Sequence, residues 1–170
     1  MRKTYGPEYP RTLGALMAWS ELDPSGPVVT DSAGTLDRRA FQNRVLRFAA
    51  GLRRGGVGSG SRVALWLPNA SGYLAAILAC ARLGALAIHI NTRFRVAEVG
   101  SLLRRSRAVA VVTEWGFAPV DFSAILAALP AQDRATLRCV LALKLPPAVT
   151  ELAGLPVLPL EGAEIGRAHV

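Results

Sequence analysis

Residues 62 to 143 alternate short apolar runs with helical patterns, and this rhythm restricts the chain more than any other feature. The run "RVALWLP" carries no polar alternation, as a strand covered on both faces requires. "NASGYLAAILACARLGA" follows as a helix, apolar nearly all round and therefore buried, with Asn69 or Ser71 as its expected cap. "LAIHI" reads as a buried strand, "VAEVGSLLRRSR" as a helix and "AVAVVT" as a strand, and "DFSAILAALP" with "RCVLAL" repeats helix and strand once more. Strand, helix, strand at this spacing predicts right-handed crossovers and an α/β fold with a parallel, three-layer sheet.

Upstream of the rhythm lie a short helix expected over residues 12 to 22, and two short strands, "PVVTD" and "AGTL", around a Ser-Ala-Gly turn. From Asp37 to Arg54 the residues Phe41, Val45, Phe48, Ala49 and Leu52 recur at helical steps and form one apolar stripe, with arginines opposite. The glycines of "GGVGSGS" end that helix. They lack the GxGxxG spacing and precede a strand, the reverse of the order in which a helix N-terminus receives a pyrophosphate, so they read as a turn. No GxxxxGK[ST] phosphate loop occurs in the sequence.

With 170 residues, half of them hydrophobic, the chain is long enough for one domain with a real core. The formal charge of +8 is almost wholly arginine, Lys3 and Lys144 being the only lysines. The arginines fall between apolar positions on helical segments, as solvated faces do, and no aromatic interleaving builds a base-stacking platform. Nucleic acid is therefore not an expected partner. Cys80 and Cys139 have neither CxxC nor Cys/His spacing, which excludes a zinc site or disulfide framework and fits a reducing cytoplasm. Pro7, Glu8 and Pro10 interrupt the charged start before any signal-peptide core. "YLAAILACARLGALAIHI" is long enough for a membrane span, but Arg82 and Gly84 in its middle favour helix, turn and strand.

Ligands of parallel α/β sheets bind outside the carboxyl ends of the strands. "LPNAS" and "HINTRFR" occupy those ends for the first two strands. In the second, Asn91, Arg93 and Arg95 form either a phosphate-binding edge, since a guanidinium there can fork onto phosphate oxygens, or a polar strand exit. Catalytic groups are few. His89 reads as a satisfied core imidazole, Ser71 as a cap rather than a nucleophile, and Glu161 with Glu164 as part of a tail. No triad, carboxylate pair or metal-ligand set assembles, so neither catalytic nor metal-binding residues are assigned.

Taken as ordered blocks, residues 27 to 143 resemble the N-terminal region of the AMP-binding, adenylate-forming acyl-CoA synthetases. The blocks are the helix ending "AAGLRRGGVGSGSRVAL", the "LPN" strand exit, the helix ending "ARLGA", the "INTR" turn with Glu98 in the following helix, and "VAVVT". One departure is Leu36, where the family often has Tyr. The resemblance implies the N-terminal portion of the large domain of a two-step ligase. Such an enzyme activates a carboxylate with ATP and Mg to an acyl-adenylate, then passes the acyl group to coenzyme A. "HINTRFR" leans toward fatty-acid or related ligases. Arg93, matching the Arg of the family's Asn-x-Arg turn, is the implied contact to the phosphates of coenzyme A, while His89 and Asn91 hold the strand exit.

The family's Ser/Thr/Gly-rich loop ending in Pro-Lys-Gly and its catalytic lysine domain have no counterpart here, so residues 1–163 read as a truncated part of the AMP-binding domain, inactive alone. Residues 164–170, "EIGRAHV", translate GAG ATC GGA AGA GCA CAC GTC, which looks like a sequencing adapter, and are expected to be non-native. Two rivals remain open: a stand-alone doubly wound module using Asn91 to Arg95 for a phosphorylated ligand, and a basic domain docking on anionic membrane or nucleic acid.

Overall fold

The structure, a computed structural model, describes residues 12–13 and 24–161. The helix expected over 12 to 22 therefore lies outside the described residues except for Thr12 and Leu13, and the segment 164–170 lies wholly outside. An antiparallel hairpin of β1 (Pro27–Asp31) and β2 (Gly34–Asp37) leads into α1 (Arg38–Arg54), whose N-cap is Asp37, its carboxylate accepting the Ala40 N–H at 2.7 Å. Gly56 and Gly60, at φ 76° and 75°, form the turn expected after α1. Then come β3 (Arg62–Trp66), α2 (Ser71–Arg82), β4 (Leu86–His89), α3 (Val96–Ser106), β5 (Ala110–Glu114), α4 (Phe122–Ala127) and β6 (Cys139–Leu143). A short hairpin, β7 (Glu151–Leu152) and β8 (Leu155–Pro159), completes the described part.

The sheet runs β4-β3-β5-β6-β8-β7, parallel from β4 to β8, with β7 antiparallel at the far edge. The expected three layers are present. On one face Val63, Leu65 and Leu67 meet Phe41, Val45, Phe48 and Leu52 of α1 and the small residues Ala75, Ala76, Ala79 and Cys80 of α2. On the other, Ala64, Trp66 and Val111 meet Val99 and Leu103 of α3 and Phe122 and Leu126 of α4. Successive residues of β3 thus feed opposite cores, which is why "RVALW" shows no polar alternation.

Three expectations change. The strand "LAIH" is an edge strand, with Leu86 51% exposed, not a buried one. The cap of α2 is neither Asn69 nor Ser71: Ala70 occupies the N-cap without a side-chain bond, and the Asp31 carboxylate of β1 accepts the Ser71 N–H at 2.8 Å instead. Glu161 belongs to no loose tail, since its carboxylate pairs with Arg44 at 3.0 Å. Among the described residues no helix is long and apolar enough to cross a membrane.

Candidate functional site

The chain moves from β3 outward to β4, then returns to place β5 on the other side of β3, so the crossovers diverge between β3 and β5. At such a switch point the loops beyond the strand ends separate and leave a crevice. Here it is a cavity of about 570 Å³, walled by Pro68 to Gly72 after β3, Glu114 and Phe117 after β5, Lys144 after β6, Asp31 of β1, Arg44 of α1, and Glu161.

The polar walls are internally paired. Arg44 donates from Nη1 to the Ser71 hydroxyl at 2.8 Å and from Nε to Glu161 at 3.0 Å, with its guanidinium 5.5 Å from the Phe48 ring centroid. Asp31 receives the Ser71 N–H, the Ser71 hydroxyl and the Ala33 N–H, which with nearby Arg44 hold its carboxyl down to about 2. Lys144, in the left-handed region at φ 53°, pairs with Glu114 across the ends of β6 and β5. Of its charged lining residues, three are acids and two are bases, so the cavity is no simple anion trap.

A second hollow of about 490 Å³ lies between the ends of β3 and β4, where "LPN" and "HINT" were expected to form a functional edge. Tyr73 and His89 share its wall, the phenol oxygen and imidazole Nδ1 being 2.6 Å apart. Burial pushes the Tyr73 phenol above its ordinary value. His89 is exposed at the sheet edge, which corrects its reading as a core imidazole. Asn91 accepts the Arg93 N–H on its side-chain oxygen at 2.9 Å, and its own carbonyl receives the indole N–H of buried Trp66 at 3.2 Å. The "INTR" turn is thus fixed to the carboxyl end of β3 from below.

The two arginines of that turn differ. Arg95 folds back so that Nη1 reaches the carbonyls of Thr92, Arg93 and Phe94 at 3.3, 2.9 and 3.1 Å. Its backbone N–H donates to Glu98 at 3.0 Å, closing the first turn of α3. Hydrogen bonds from the amides of Glu98 itself and Arg95 keep the Glu98 carboxyl below its usual range. Arg93 is exposed, and its guanidinium has no hydrogen-bond or ion-pair partner among the described residues. Spacing alone could not separate them. What distinguishes them is that only Arg95 stands where its guanidinium meets the turn's own carbonyls.

The buried cysteines, Cys80 and Cys139, stand apart from both hollows, and burial pushes the Cys80 thiol up to about 12. Among the described residues no group of three or more His, Cys, Asp or Glu side chains gathers where it could hold a metal ion.

Fold and crevice together define a doubly wound α/β domain with strand order of the 2-1-3-4-5 kind and its cavity at the switch point. Residues 17–158 match the family described as AMP-binding enzyme, and the chain belongs to that family. The feruloyl-CoA synthase of an Amycolatopsis species is 33% identical over 93 residues, which is 55% of this chain and 19% of that protein. A crystal structure of the N-terminal domain of FACL13 from Mycobacterium tuberculosis superposes with a TM-score of 0.68 at 26% identity, over 78% of this chain and 34% of that one. The coronafacic acid ligase of Pectobacterium brasiliense has a TM-score of 0.72 at 16% identity, over 88% of this chain and 28% of that one, a likeness of fold alone. The chain thus spans less than a fifth of the length of the feruloyl-CoA synthase.

Proposed function

We propose that this chain is the N-terminal part of an ATP-dependent acyl-CoA ligase acting on fatty or related carboxylic acids in the cytoplasm, and that it has no ligase activity alone. The observation that carries this reading is the family match over residues 17–158. The feruloyl-CoA synthase points the same way as to reaction class, and the FACL13 domain as to scaffold.

We assign the described residues no site for ATP with magnesium, because the glycines 55 to 60 turn after a helix rather than before one. No step through the nucleotide is assigned to them. They do fit one end of coenzyme A, which when bound supplies the thiol that accepts the acyl group. Arg93 holds an exposed guanidinium, without a partner among the described residues, on a turn pinned by Asn91 and Trp66, a geometry suited to forked hydrogen bonds with phosphate oxygens. Its role is to bind and orient and not to move a proton.

Two measurements test the reading. The purified 170-residue chain is expected to give no ATP–pyrophosphate exchange above a no-enzyme control with a panel of fatty acids, and turnover would contradict its inactivity. In a full-length version, Arg93→Ala is expected to raise KM for coenzyme A about tenfold, the loss of one charge-assisted contact, while leaving adenylation intact. Equal loss in both half-reactions would refute the coenzyme A contact.

A further inference from the structure

Where the chain leaves β8 it is held against α1 at three successive residues. The Pro159 carbonyl accepts from the Arg54 guanidinium at 3.4 Å. Leu160 is fully buried, donates its N–H to the Ala142 carbonyl at 2.9 Å, and packs its own carbonyl so close to Gly51 that a Cβ there would stand 2.1 Å from the oxygen. Glu161 reaches the Arg44 Nε at 3.0 Å. The first two contacts fix backbone; the third fixes a side chain that lines the switch-point cavity.

Arg44 is also bonded to the opposite wall of that cavity. Its Nη1 donates to Ser71, whose hydroxyl and N–H both engage Asp31, so one guanidinium joins the segment after β8 to the start of α2 and to the β1–β2 hairpin. The Arg44 and Glu161 side chains keep 25% and 40% of their exposure. The pair is therefore wet enough to break on its own.

We propose that Arg44 is a latch, a positioning residue whose bond to Glu161 holds that side chain in the wall of the switch-point cavity and steadies the end of β8 behind it. When the latch opens, Glu161 leaves the cavity wall and the end of β8 frays, so that the Leu160 N–H releases the Ala142 carbonyl more often while the central strands stay paired. The inference concerns the described chain and does not depend on the ligase reading.

Amide hydrogen exchange on the purified chain tests it. Arg44→Met and Glu161→Gln are each expected to speed exchange at the Leu160 amide, which is bonded to the Ala142 carbonyl, about fivefold, with the double variant no faster than either single one, because both remove the same bond. Exchange at Val112 in the central strand β5 should be unchanged. Arg44→Lys, which keeps the charge, should retain most of the protection. Unaltered exchange at Leu160, additive effects, or a proportional rise at Val112 would overturn the proposal. So would an Arg44→Lys variant exchanging as fast as Arg44→Met, since packing over Phe48 would then be what holds the segment. Glu161→Gln, at a partly exposed side chain, decides the matter even if Arg44→Met fails to fold.

Discussion

Gly51 shows how much can rest on the absence of one carbon. It sits inside α1, where glycine is intrinsically unfavourable, yet the position is closed to any side chain by the Leu160 backbone. Gly51→Ala gains helix propensity and loses the close approach, and the backbone clash at 2.1 Å should dominate. A destabilisation of about 2 kcal/mol is expected in a denaturant titration. Gly58→Ala, where nothing lies within 4 Å, serves as the neutral control. The same scale explains what residue identity hid. Glu161 and Glu164 looked alike in the sequence, and only the fold brings Glu161 to Arg44, 117 positions earlier. His89 looked internal because its neighbours are apolar, but burial depends on which strand takes the sheet edge.

Among the elements, the helices and central strands were legible because their apolar periodicity is local and strong: α1 runs Arg38–Arg54 where the pattern pointed to Asp37 to Arg54. The last strand was not, because Pro156 and Pro159 interrupt the apolar run of "LPVLP"; prolines are tolerated in β8 near the sheet edge, beside only the two-residue β7. Helix α2 shows the other limit. Its cap comes from Asp31, 40 residues upstream, a partner that no inspection of the sequence around Asn69 to Ser71 could supply. This cap carries a pH signature. The Asp31 carboxyl lies near 2 in the folded protein against an ordinary 3.8, so its contribution to stability is complete above about 4 and is lost as pH falls toward 2. Thermal melts of Asp31→Asn between pH 2 and 5 should lack that part of the acid-induced fall in Tm. The parts from Glu98 and Asp121, whose carboxyls are also held low, should remain.

For the whole molecule, the alternation of strand and helix was enough to predict three layers and a ligand edge at the strand ends. The strand order was not legible. Nothing in "AVAVVT" says that β5 returns to the far side of β3, since both placements satisfy a right-handed crossover. Hence the sequence pointed to the β3 and β4 exits but missed the larger crevice between β3 and β5, to which Glu114, Lys144 and Glu161 contribute. The family resemblance extended the reading beyond this limit by matching blocks rather than strand positions, and the match over 17–158 bears it out as to family.

The two buried thiols, one on α2 and one on β6, belong to the same core, beneath α1. Each is sealed from solvent and raised in pKa by burial, so neither reacts while the helical layer is seated. The molecule thus carries its own clock. A thiol-trapping reagent added to the native protein should mark Cys80 and Cys139 together, at a rate set by how often that layer lifts. Separate rates would mean that α2 and β6 open independently of each other.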